Sequence, residues 1–260
     1  MIESSGKRFS FVLTLLALII CFSNPAWGKA EKDAIAEIKL APASLPQGMT
    51  ITRETRASQQ QLLNARIRLG FPLIALVNQT LARGEERAKV NYMLPVGEEW
   101  FDFGYSKLVA TDGTKSLVMT KSGVIVQLAA TTKDLEDELA RLLAPDSLHL
   151  LKIKVRDLPE DWIFTGERYL PHQELAALER KVGGQIQSAL FQEFMVSREK
   201  VKMKYYNCGS QKSAEDTRRH IANERNLYVS QNVKVSGATV VVAECQDDRV
   251  SEEALSLINW

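Results

Sequence analysis

The sequence predicts an α+β fold: a tandem duplication of a ferredoxin-like (split βαβ) module, with an extra N-terminal strand and a C-terminal helix in each copy. Two observations predict it. Sliding the chain by 113 residues pairs positions 45–92 with 158–205 without a gap and gives 11 identities over 48 positions, where chance gives about three. Each copy also repeats the order strand, helix, strand, strand, helix, strand. Apolar residues alternate in the strands and recur at three- and four-residue spacing in the helices.

The identities include Leu45-Pro46 with Leu158-Pro159, Thr52 with Thr165, Glu54 with Glu167, Gln60 with Gln173, Leu62 with Leu175, Gly70 with Gly183, Lys89 with Lys202 and Tyr92 with Tyr205. Upstream, Ile38-Lys39-Leu40 falls on Leu151-Lys152-Ile153, and Ser122-Gly123 falls on Ser236-Gly237 at an offset of 114. A short first strand is expected at Ile38–Leu40 and Leu151–Val155. After Leu-Pro comes a strand at Met49–Glu54 or Trp162–Glu167. Ser58 then caps a helix in the first copy, and Pro171 suits the first turn of its counterpart. Gly70 and Gly183 stop the two helices. Hairpins follow over 73–82 with 87–94 and 186–196 with 200–206. Next comes an acidic helical stretch, clearest at Ser213–Arg225. Strands at 115–120 and 124–130, or 226–233 and 238–244, lead to a final helix, Thr132–Leu143 or Val250–Leu257.

The chain has 260 residues, a net charge of +1, 45% hydrophobic and 25% charged residues, and three cysteines. That composition suits a globular protein. It excludes a disordered acidic chain, a collagen repeat, a disulfide-dense mini-protein and a polytopic membrane protein. The balanced charge argues against a nucleic-acid partner.

At the N-terminus, Lys7-Arg8 precedes the apolar run Phe9–Phe22, and Asn24-Pro25 then leads to Ala26-Trp27-Gly28. This is the layout of a secretory signal peptide cleaved after Gly28. The run of 14 residues falls short of the roughly 20 that span a bilayer. The expected domains are thus 1–28, signal peptide; 29–146, first repeat; and 147–260, second repeat. The expected location is the periplasm or the exterior, with no membrane span after cleavage. Cleavage removes Glu3, Lys7, Arg8 and Cys21, which leaves a neutral chain with Cys208 and Cys245.

The sequence contains no Gly-x-Ser-x-Gly elbow, Walker A loop or Gly-x-Gly-x-x-Gly fingerprint. The histidines His149, His172 and His220 form no metal-like pair, so no metal and no cofactor are expected. Two features stand above this background. Arg198, Lys200, Lys202 and Lys204 share one strand parity, opposite Val201, Met203 and Tyr205. Lys89 in the first copy and the row Lys152, Lys154 and Arg156 repeat the pattern, so a positive sheet face is expected. The second feature is the cysteine pair, read as a Cys208–Cys245 disulfide in an exported chain. In a split βαβ sheet both cysteines leave strands at one edge; a terminal hairpin would send Cys245 to the far edge.

These readings combine into an exported, non-catalytic two-module protein of the cell envelope. It would bind an anionic envelope component or another protein, or serve in assembly. One alternative is an enzyme with its site between the repeats, using His172, Glu174 and His220. Another is a thiol- or metal-linked role for Cys208 and Cys245.

Overall fold

The computed structural model describes residues 34–113, 115–144, 146–170, 172–223 and 230–258. The predicted signal peptide with Cys21, Pro171 and the start of the strand expected at 226–233 lie outside them. The N-terminal half runs β1 (Thr50–Arg56), α1 (Gln59–Leu69), β2 (Leu73–Arg83), β3 (Glu86–Pro95), α2 (Gly97–Asp112), β4 (Leu117–Lys121), β5 (Val124–Ala130) and α3 (Lys133–Leu143). The C-terminal half runs β6 (Trp162–Tyr169), α4 (His172–Val182), β7 (Ser188–Val196), β8 (Glu199–Asn207), α5 (Gln211–Asn223), β9 (Ser230–Ser236), β10 (Thr239–Cys245) and α6 (Asp248–Ser256).

The strands form two five-stranded sheets, ordered β1-β2-β3-β5-β4 and β6-β7-β8-β10-β9. Every hydrogen-bonded pair is antiparallel. This order departs from the split βαβ expectation, which places the first strand between the third and fourth. Here β1 and β6 lie at sheet edges. Because β1 and β2 are antiparallel neighbours, α1 leaves and rejoins the sheet at the same end, so it covers a face without crossing the sheet. The Ser122-Gly123 turn has φ of 49° and 75°, the all-positive pair that a tight two-residue hairpin needs. That hairpin reverses the chain and inserts β5 between β3 and β4.

Each sheet is covered on both faces. On one face of the first sheet, Val77, Leu81, Val90, Tyr92, Val126 and Leu128 meet Leu135, Leu139 and Leu143 of α3. On the other, Met93, Val118 and Ile125 meet Ala65 of α1 and Tyr105, Leu108 and Val109 of α2. The second sheet packs likewise: Leu190, Phe194, Met203 and Val241 lie under α6, and Ala189, Tyr206, Val240 and Val242 lie under α4 and α5. Among the described residues, no helix is long and apolar enough to cross a membrane.

Gly70 and Gly183 both follow the last turn of a helix with left-handed φ, 77° and 71°, the conformation that ends a helix at little cost in glycine. The strands expected at 38–40 and 151–155 are absent. Residues 34–38 are helical, Leu148–Leu151 is one helical turn and Val155–Asp157 is a 3-10 turn. Their backbone groups are satisfied by side chains in place of a neighbouring strand: Leu40 N–H donates to the Tyr92 hydroxyl, and Gln79 donates to the Leu40 carbonyl.

The disulfide expectation is corrected. Cys208 and Cys245 are both free and buried. Strand β10 is antiparallel to β8 and pairs Thr239 with Asn207 and Glu244 with Lys202. Cys208 therefore lies at one end of the ladder and Cys245 at the other, about 20 Å apart at the usual strand rise. A disulfide needs Cα atoms within about 7 Å. Burial raises the pKa of both thiols, and the Glu199 carboxylate beside Cys245 adds to the rise there. A chain beginning at residue 29 is expected to titrate two thiols after non-reducing denaturation and to react slowly while folded. A chain with no free thiol would contradict this topology.

Candidate functional site

Four side chains recur at the 113-residue offset and make the same hydrogen bonds twice. In the C-terminal half, Gln192 Nε2 donates to Glu167 Oε2 at 2.7 Å and to the Ile153 carbonyl at 2.9 Å. Tyr205 donates to Gln192 Oε1 at 2.8 Å, and Lys152 Nζ lies 2.6 Å from Glu167 Oε1. In the N-terminal half, Gln79 donates to Glu54 at 2.8 Å and to the Leu40 carbonyl at 2.9 Å. Tyr92 donates to Gln79 at 2.8 Å, and Lys39 pairs with Glu54. Burial raises the pKa of both tyrosines, so each stays a hydrogen-bond donor. The Lys39 ammonium, with help from the Gln79 amide, lowers the pKa of Glu54.

The two tetrads differ in burial. The Lys39 and Glu54 side chains are 31% and 37% exposed, whereas those of Lys152 and Glu167 are 3% and 0% exposed. The cover over the second tetrad is α2, which packs on both its own sheet and β6. Tyr105 of α2 donates to Glu167, while Lys152 Nζ donates to Tyr105 at 3.2 Å and to the Val118 carbonyl of β4 at 2.8 Å. His149 lies beside them, fully buried, stacked on Tyr169 at 5.1 Å and edge-on to Tyr105 at 6.4 Å. Tyr169 and Ser188 both donate to Asp146. This joint is rich in acid–base groups but has little free space. The cavity beside Lys152 and Glu167 holds about 20 Å³, the room of a single water.

The expected positive sheet face is largely neutralised. Lys200, Lys202 and Lys204 are more exposed than Val201, Met203 and Tyr205, which are fully buried. However, Lys200 pairs with Glu193 at 2.7 Å and Lys204 pairs with Glu244. Lys202 sits opposite Glu193 on β7 and Glu244 on β10. Arg198 is exposed in the β7–β8 turn with φ of 76°, off the strand row, and Lys89 is exposed on β3. Lys152 and Lys154 form no strand row, since Lys152 is buried on Glu167 and Lys154 pairs with Asp137 at 3.0 Å. The residues of the enzyme alternative stand in separate surroundings. His172 is exposed at the start of α4, Glu174 pairs with Arg168, and the His220 ring packs against the Gly183 turn. Among the described residues, no three His, Cys, Asp or Glu side chains gather as metal ligands.

An open groove of about 470 Å³ lies elsewhere, between β1–β2 and α1, within the range of small-ligand sites. Arg53 and Arg56 come from β1 and Arg68 from α1; Thr55, Gln61, Asn64 and Asn78 add polar groups, and Leu76 and Ala65 line the floor. Among the described residues, none of the three arginines has an ion-pair partner. The corresponding positions of the second half carry different side chains. Ala65 is replaced by Leu178, Asn78 by Phe191, Arg56 by Tyr169 and Arg53 by Gly166. Gln61 is replaced by Glu174, which pairs with Arg168. The arginines form no motif within their own half; their signal lies in the differences between the halves at the 113-residue offset. Comparison with protein families, curated proteins and solved structures found no match.

Proposed function

We propose that this chain is an exported, non-catalytic binding protein made by tandem duplication, with modules at 29–146 and 147–260. It holds an anionic partner in the groove between β1 and α1 of the first module. The single observation that carries this reading is the contrast between the halves: Arg53, Arg56 and Arg68 line a groove and have no ion-pair partner among the described residues, whereas the same positions of the second half hold Gly166, Tyr169 and Lys181. The repeated strand order and the repeated Lys-Glu-Gln-Tyr tetrad support the duplication. The signal-like segment 1–28 supports export, and the cell envelope then supplies anionic polymers and lipids as partners. The enzyme alternative gains no support: the cavity beside Lys152 and Glu167 holds about 20 Å³, and His172, Glu174 and His220 stand in separate surroundings. The thiol alternative loses it because the two cysteines lie at opposite sheet ends.

Guanidinium groups bind phosphate and carboxylate through paired hydrogen bonds. Titration calorimetry with tripolyphosphate is expected to show salt-sensitive binding. The triple variant Arg53→Gln, Arg56→Gln, Arg68→Gln should lose tenfold or more in affinity, since each charge-assisted bond is worth about 1.5–3 kcal/mol. Replacing Lys200, Lys202 and Lys204 by glutamine should change little. Equal binding by the parent and the arginine variant would refute the site.

A further inference from the structure

We infer that the outer face of α1 docks the first module on an anionic phospholipid surface, with lipid phosphates at the arginine groove and Leu63 and Ile67 inserted beside it. This rests on the reading of the groove as an anion site. Leu63 is 53% exposed and Ile67 83% exposed. Four residues apart, they share one helix face, and Asn64, three residues before Ile67, lies between that face and the groove.

Single exposed apolar residues are ordinary, and here the second module serves as an internal control. At the same offset, Leu63 becomes Ala176, Ile67 becomes Arg180, Arg66 becomes Glu179 and Gln61 becomes Glu174. The α4 face is an ordinary solvated one, with both signs of charge. The α1 sequence QQQLLNARIRL contains no acid, and Glu54, the acid of β1, is held by Lys39. Leu63 and Ile67 thus make one face of α1 apolar, while Arg66 and Gln61, elsewhere on the same helix, stand where α4 carries acids. Two aliphatic side chains are too little for a stable protein interface, which buries about 800 Å² per partner. A membrane surface asks for less: a few apolar side chains inserted about 5–10 Å, with basic residues drawn to anionic headgroups.

The test is sedimentation with vesicles, using a chain from residue 29, which keeps every described residue. Binding is expected to mixed phosphatidylglycerol–phosphatidylcholine vesicles and not to phosphatidylcholine alone. Leu63→Ser with Ile67→Ser should weaken it about tenfold, from the apolar surface no longer buried. The triple arginine variant should weaken it by about tenfold or more. Arg180→Gln in the second module should leave it unchanged, and the melting temperatures should stay close because all these sites are exposed. Tripolyphosphate binding without vesicle binding would overturn the lipid inference and leave the anion site standing. Loss of both would overturn the two together. Vesicle binding indifferent to the Leu63/Ile67 change would overturn the inserted face.

Discussion

Replacing Lys152 by methionine is expected to destabilise the protein by about 3–5 kcal/mol, the usual cost of leaving one partner of a buried ion pair uncompensated. The equivalent Lys39→Met should cost less than about 1 kcal/mol, as for other exposed pairs. The residues, their shared partners and their spacing are the same in both halves; the cover differs. Glu167 lies beneath α2 with no exposure, and without Lys152 its carboxylate would keep only the Tyr105 and Gln192 donors. Glu54 would turn to water. Urea unfolding of the two variants measures the contrast. Adding Glu167→Gln to Lys152→Met should recover much of the loss, because the stranded charge is removed. Equal effects of Lys39→Met and Lys152→Met would mean that α2 does not seal the joint.

This asymmetry also explains what could be read from the sequence. The β2–β3 and β7–β8 hairpins and the helices α1, α3, α4 and α6 follow from alternation, helical spacing and turn glycines. These are local signals that burial on known faces reinforces. Helix α2 gave a weaker signal because it serves two surfaces: Leu108 and Val109 turn to its own sheet while Tyr105 reaches Glu167 of the other half. A helix apolar on two sides has no single stripe to detect. The segments at 38–40 and 151–155 alternate like strands because they lie on a core. Their hydrogen bonds go to Tyr92, Gln79, Tyr205 and Gln192, partners 39 to 52 residues away. The lysine row of β8 alternates with the buried Val201, Met203 and Tyr205. Its neutralisation by Glu193 and Glu244 depends on sheet register, which no local pattern encodes. The arginine groove is legible only once the two copies are compared position by position.

Acidification should weaken the same joint well before the carboxylates titrate. Burial, with the Lys152 charge adding to it, holds the pKa of His149 far below the ordinary histidine value. Its Nε2 lies 3.4 Å from Thr120 Oγ1, and its Nδ1 has no partner among the described residues. The neighbouring charges are Lys152, the Glu167 bound to it, and Asp146 beyond the Tyr169 ring. A base with a depressed folded pKa stays neutral in the native state while the unfolded chain takes up a proton below its own pKa near 6.5. The stabilisation is therefore complete above that value and is lost as pH falls, at up to about 1.4 kcal/mol per pH unit. Between pH 7 and 5 the protein should lose about 2 kcal/mol from this residue alone. The carboxylates with lowered values, such as Glu54 and Asp248, lose their contribution only below about pH 4.5. The two windows therefore separate. His149→Phe keeps a ring for the Tyr169 stack, removes the titrating group and removes the unpaired Nδ1. Unfolding free energies from pH 7.5 to 5 should fall for the parent and stay nearly flat for His149→Phe. Parallel curves for the two proteins would show that His149 is not the group that takes up the proton on unfolding.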